Sequence, residues 1–182
     1  MLSEENIIDN LLKDLVEVSL LWDQLGVIYG RIEAPWVPTP IGIVEFVFDL
    51  ISIGSGDIVV DLGCGDGRVV IEAAKRGAKA LCIEIDERLL KIARKNAQQL
   101  GVTDNILFIN NDILNVNISQ ATVVYTYLTT KVLNKLKIKF FKELKPGTTI
   151  ISLVYSLGWL EPIEVVEVSP ENKYYRIYIY II

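Results

Sequence analysis

The sequence predicts an α/β fold, a mostly parallel sheet with helices on both faces, and three observations carry that expectation. Continuous apolar runs alternate with helix-periodic segments from Asp57 onward. A glycine-rich loop, GCGDGR at 63–68, joins the first run to the first helix of the series, and the last two runs are separated by too few residues for a helix. Strands buried on both faces read as unbroken apolar runs and need helical crossovers between parallel partners, whereas a short turn forces an antiparallel return.

The elements follow in order. In residues 6–25, Ile7, Ile8, Leu11, Leu12, Leu15, Val18 and Leu21 recur at helical spacing with charges between them, so 1–34 is expected to be an amphipathic helical extension. In APWVPTP (34–40), Pro35, Pro38 and Pro40 deny regular structure, and an ordered loop or lid is expected before helix-compatible 41–51. Then come a strand at 57–62 (DIVVDL), a helix at 67–77, a strand at 78–85 (AKALCIEI), a helix at 86–101 and a strand at 105–112 (NILFINND). A strand at 121–128 (ATVVYTYL), a helix at 130–144 and a strand at 148–155 (TTIISLVY) follow. IEVVEVS, the turn residues PEN and YYRIYIYII close the chain as an antiparallel hairpin. No repeat or low-complexity segment interrupts the series, and 182 residues suit one compact domain.

Composition narrows the chemistry. A net charge of −5 offers no electrostatic footprint for a phosphate backbone, so nucleic acid is not expected as a partner. The chain has no histidine, which removes Ser/His and Cys/His nucleophilic mechanisms and the commonest ligand of transition metals; no metal site is expected. Cys64 and Cys82 lack a CxxC spacing, which suggests neither a disulfide framework nor zinc, but a packed thiol at Cys64 and a reducing, cytoplasmic setting. The most apolar stretch, 15–28, is interrupted by Glu17 and Asp23 and is shorter than the roughly 20 residues of a membrane span. Neither a transmembrane segment nor a signal peptide is expected.

The glycine loop points to a ligand. In a parallel sheet the first strand-to-helix turn lies where the strand order reverses, and glycines there allow close approach of a ligand to the backbone. The spacing 63, 65, 67 is not GxGxxG, because Arg68 stands where the third glycine belongs, and no Lys-Ser/Thr pair follows as in a phosphate loop. Asp61 and Asp66 would repel a pyrophosphate and favour an ammonium group. Glu84, at the end of the second strand, is placed to accept from both hydroxyls of a ribose, and Asn111 and Asp112, at the end of the third, can meet an adenine edge. Each acid alone reads equally well as a solvated strand end or a helix N-cap. Together they describe a ligand with a ribose, an adenine and an aminocarboxylate, which is S-adenosylmethionine.

The segment VVDLGCGDGR resembles the first motif of the class I S-adenosylmethionine-dependent methyltransferases. WVPTP, the run from Asp57 to Ile85, ATVVYTYLTTKVLNKLK and ELKPGTTIIS are similar, more narrowly, to the small, broad-specificity archaeal protein lysine methyltransferases. More distantly, they resemble the mitochondrial lysine methyltransferases that act on an ATP synthase subunit. The resemblance spans residues 35–182 and implies a Rossmann-like seven-stranded sheet with the cofactor across the ends of its first strands. It implies that Asp61, Gly63 and Gly65 cradle the methionine part, with Cys64 and Asp66 in the same loop. Glu84 would hold the ribose with Ile85 beside it, Asn111 and Asp112 the adenine, and Thr39 would cover the carboxylate end. The longer segment 1–30 and YTYLTT at the fourth strand depart from the archaeal pattern.

Methyl transfer from a sulfonium is an in-line displacement that asks chiefly for alignment and desolvation. A lysine acceptor must also lose a proton, and burial among aromatic side chains lowers its pKa. Tyr125 and Tyr127 are the expected channel residues at the reacting centre, with Trp36 and Tyr155 on the substrate, although aromatic residues on one strand face serve equally as core. Arg68 reads as solvated or paired, and the charge run 131–145 as a solvated helix face. The expected partner is a protein with exposed lysines, and the expected state a monomer. A small-molecule or RNA methyltransferase would share the cofactor half, but the NPPY-type tetrad that holds a planar amino group is absent where YTYL stands.

Overall fold

The computed structural model describes residues 36–170 and 173–182; the expected helical extension over 1–34 lies outside them. Helix α1 (Ile41–Leu50) starts directly after the proline segment, with the Pro40 carbonyl accepting from the N–H of Ile43 at 2.9 Å. It buries Ile43, Val44, Val47 and Phe48, one stripe at helical spacing. Strand β1 (Ile58–Leu62), helix α2 (Arg68–Lys75), strand β2 (Lys79–Glu84), helix α3 (Glu87–Gln99) and strand β3 (Ile106–Asn110) follow. Strand β4 (Val123–Thr126), helix α4 (Thr130–Glu143) and strand β5 (Thr149–Leu153) come next, and β6 (Glu164–Val168) and β7 (Tyr175–Ile181) complete the chain.

The seven strands among the described residues form one sheet in the order β3-β2-β1-β4-β5-β7-β6. β1 to β5 are parallel to one another, and β7 runs antiparallel to both β5 and β6, the hairpin expected from the short turn. The order reverses between β1 and β4. The crevice for a ligand in such a sheet therefore opens beyond the C-terminal ends of these two strands. From Val59 to Leu62, β1 is buried on both faces, which is why its sequence does not alternate. The apolar stripes of α1, α2 and α3 pack on this sheet, and Phe48 meets Tyr125 edge-on with ring centroids 6.4 Å apart.

Two expectations are corrected. Cys64 and Cys82 form a disulfide, with Cα atoms 5.3 Å apart. Their separation of 18 residues conceals this, but the β1–β2 register sets Asp61 opposite Cys82, and the loop after β1 turns back so that the Cys64 N–H donates to the Ile83 carbonyl at 3.1 Å. The cysteines thus give no support to a reducing compartment. Second, the charge run of α4 is not wholly solvated. Lys139 is buried on the stripe of Leu136 and Phe140, where it donates to the Val116 carbonyl and pairs with Glu143 at 2.8 Å, while Glu143 accepts from the Ile118 N–H. This ion pair fastens the 112–121 connection to α4.

Closing a loop of this length restricts the unfolded chain, so Cys82→Ala should cost about 3 kcal/mol of stability. Urea unfolding of the two proteins without reductant checks the value. Alkylation of the denatured wild type should find no free thiol, and two reactive thiols would remove the crosslink from the account.

Candidate active site

The loop between β1 and α2 is built around the end of β2. The N–H groups of Gly63 and Cys64 donate to the Ile83 carbonyl, and the Gly65 N–H donates to Glu84 Oε2 at 2.9 Å. Glu84 Oε1 accepts from the Asp86 N–H at 2.9 Å. Each carboxylate oxygen so engaged keeps a further lone pair, which leaves Glu84 able to accept two more donors, the number a ribose presents. Gly67 has φ +82° and caps α2; a Cβ there would lie 2.8 Å from that of Ala93, so only glycine lets α2 and α3 approach this closely.

Three acids converge on the loop. Asp61 is buried at the end of β1, and its pKa is raised well above the ordinary value, first by burial and then by the neighbouring carboxylates Glu84 and Asp66. A cationic ligand group would reverse that effect. Asp66 is paired with Arg68, Oδ2 to the guanidinium at 2.6 Å, one of the two states expected for Arg68. Arg68 also donates to the Thr39 carbonyl at 2.7 Å, which brings the proline segment to the loop. Trp36, expected in the substrate channel, sits against the glycine loop, its indole Nε1 2.1 Å from where a Cβ on Gly65 would be.

At the neighbouring strand ends, Ile85 is exposed and Asp112 is half-buried, with Oδ1 accepting from the Leu114 N–H at 2.8 Å. Asn111 is exposed and its Oδ1 accepts from the Asp112 N–H. The residue that ties β3 to β2 here is Asn110, which the sequence reading missed; its amide donates to the carbonyls of Glu84 and Ile85 at 2.9 and 3.1 Å.

The two tyrosines of YTYL part company. Tyr125, opposite Asp61 on β4, is buried in the core against Phe48, with its hydroxyl facing the Thr39 side chain; burial pushes its pKa up, against the effect of Thr39. Tyr127 follows the end of β4 and is half-buried, its phenol pushed up to about 12 by burial, then by Tyr175 and Tyr155. Leu128, next to it in the chain, lies 3.4 Å from where a Cβ on Gly63 would be. Tyr175 was missed from sequence, yet the last strand of an antiparallel pair begins where the parallel strands end. Tyr155 is presented by a strained turn: Val154 has φ +69°, the Tyr155 N–H donates to the Leu153 carbonyl at 2.8 Å, and Ser152 Oγ donates to the Tyr155 carbonyl at 2.5 Å. Trp159 packs on Phe140 and Phe141, centroids 6.0 and 5.3 Å away.

The cradle fits S-adenosylmethionine on the chain's own terms: a buried carboxylate with no counter-ion among the described residues, a loop of left-handed glycines, and an acid with acceptor capacity at the end of β2. No helix among the described residues is long and apolar enough to cross a membrane.

A family model for the ANTKMT methyltransferase domain matches residues 61–164. A protein-lysine N-methyltransferase of Saccharolobus islandicus is 39% identical over 150 residues, 81% of this chain and 93% of its own. The mouse adenine nucleotide translocase lysine N-methyltransferase is 31% identical over 75% of this chain but only 59% of its own length. A crystal structure described as an RNA methyltransferase from Salinibacter ruber, in complex with S-adenosylhomocysteine, superposes with a TM-score of 0.75 at 39% identity, covering 80% of this chain and 94% of that one. With this fold and loop, the chain belongs to the ANTKMT methyltransferase-domain family, enzymes of the class I fold that use S-adenosylmethionine.

Proposed function

We propose that this enzyme methylates the side-chain amine of lysine in proteins. The observation that carries the reading is the cluster of Tyr127, Tyr155 and Tyr175, beside a cofactor loop, at the end of a chain 39% identical to a protein-lysine N-methyltransferase. S-adenosylmethionine supplies an electrophilic methyl group on a sulfonium. Asp61 takes the ammonium of its methionine part, Glu84 the ribose hydroxyls and Asp112 the adenine amine, with Asn111 and the exposed Ile85 at the base. Tyr127, Tyr155 and Tyr175 wall the path of an entering lysine, strip water from its ammonium and favour the neutral amine. Tyr125 acts from beneath, holding the floor of the site. A phenol pushed up to about 12 is a poor base at neutral pH, so the residues align and desolvate the amine rather than take its proton.

The acidic chain suits lysines in basic, flexible segments, which opposite charge steers toward it. A monomer in the cytoplasm fits this reading, the sulfurs of the disulfide being buried away from dissolved thiols. Methylation of RNA is a second reading, supported by the description of the Salinibacter structure and opposed by the net charge of −5. Incubation with labelled cofactor, a protein mixture and RNA, followed by mass spectrometry, decides between them: label on lysine is expected, and label confined to RNA would overturn the proposal.

Two further outcomes follow. The log of kcat/KM for a lysine peptide should rise with pH on a single limb, with no decline from tyrosine ionisation below about 10, and Tyr127→Phe should leave the position of that limb nearly unchanged. A limb lost in Tyr127→Phe would make the phenol a base. The second concerns Asp61, whose folded pKa lies above its unfolded one. Its contribution to stability is therefore full below the unfolded value of about 3.9 and is lost as pH rises through the folded pKa. Asp61→Asn, without that loss, should melt near the wild type at pH 3.5 and above it at pH 8, while binding the cofactor more weakly. A variant less stable than the wild type at pH 8 would contradict the assignment of an unbalanced charge.

A further inference from the structure

Arg68 is the side chain that joins the proline segment to the cofactor loop. Its guanidinium donates through Nε to Asp66 Oδ1 at 3.0 Å, through one terminal nitrogen to Asp66 Oδ2 at 2.6 Å, and through the other to the Thr39 carbonyl at 2.7 Å. Asp66 is itself fixed, because its carbonyl accepts from the Asn96 amide of α3 at 3.0 Å. The far end of the segment returns to the same loop, where the Trp36 indole lies against Gly65. The indole is only partly buried, with 41% of its surface exposed. Pro38 and Pro40 fix two of the backbone angles between Trp36 and α1, so a tether at the Thr39 carbonyl sets where Trp36 lies.

We propose that Arg68 is a positioning residue that latches the Trp36–Pro40 segment onto the glycine loop, so that Trp36 forms a wall of the cofactor site. The inference rests on the cofactor placement given above. A planar guanidinium can grip Asp66 with two donors and keep a third for Thr39, whereas an ammonium at the end of a lysine carries the same charge without that fork.

The test combines calorimetry with S-adenosylhomocysteine and acrylamide quenching of Trp36 in a Trp22→Phe/Trp159→Phe background. Arg68→Ala should lower affinity at least about tenfold and raise the quenching of Trp36. Arg68→Lys should lose nearly as much affinity, and Trp36→Ala should lose a similar factor with Arg68 intact, which keeps the test open if Arg68→Ala fails to fold. The double variant should bind no worse than the weaker single one, because both substitutions open the same wall. Full affinity in Arg68→Lys, additive losses in the double variant, or unchanged quenching in Arg68→Ala would each overturn the latch while leaving the cofactor reading intact. Failure of the wild type to bind S-adenosylhomocysteine would overturn that reading and the latch with it.

Discussion

Burial of the Asp61 carboxylate at the end of β1, with Glu84 and Asp66 as its charged neighbours, is the constraint around which the site is arranged. A parallel sheet places the ends of β1 and β2 side by side, so acids at both ends are forced together in a poorly solvated place. The chain relieves part of the repulsion by pairing Asp66 with Arg68 and by giving Glu84 the N–H groups of Gly65 and Asp86. Among the described residues no cation gives Asp61 such relief. Its local cost makes sense if a cation completes the site.

The loop has to be held against that repulsion, and several independent bonds do so. The disulfide ties Cys64 to β2, the Ile83 carbonyl takes two loop N–H groups, and Glu84 takes a third. Left-handed glycines at 63, 65 and 67 make the tight path possible. The loop is thus braced by bonds of the chain itself, and bracing of this kind lowers the ordering cost of binding. On the other side of β1, the strained turn at Val154 and the antiparallel entry of β7 bring Tyr155 and Tyr175 near enough to Tyr127 to raise the pKa of its phenol.

Much of this was legible in the sequence because it is local. Apolar runs, helix periods and the short final turn gave the strand sequence and the antiparallel hairpin, and Asp61, the glycines and Glu84 stand where strand ends put them. What was hidden depends on contacts across the sheet. No spacing rule joins Cys64 to Cys82; the β1–β2 register does. Alternation put Tyr125 and Tyr127 on one face, but β4 ends at Thr126, and so Tyr127 leaves the ladder while Tyr125 stays under α1. The position of Trp36 beside Gly65 carries no sequence signal either, because the contact from Arg68 to that segment is made to the backbone carbonyl of Thr39. Lys139 looked solvated within a charge run, yet its helical position places it with Leu136 and Phe140.

The central claim, that Asp61 is a carboxylate waiting for a cation, can be measured through protons. In the free protein its pKa is raised, and an ammonium beside it would bring that pKa down, so binding at a pH between the two values must release a proton. Calorimetric titration with S-adenosylhomocysteine, repeated in buffers of different ionisation enthalpy, reads the number of protons exchanged. The account predicts net release near the raised pKa of Asp61 in the wild type and none in Asp61→Asn. Proton uptake, or a release of equal size in the variant, would contradict it.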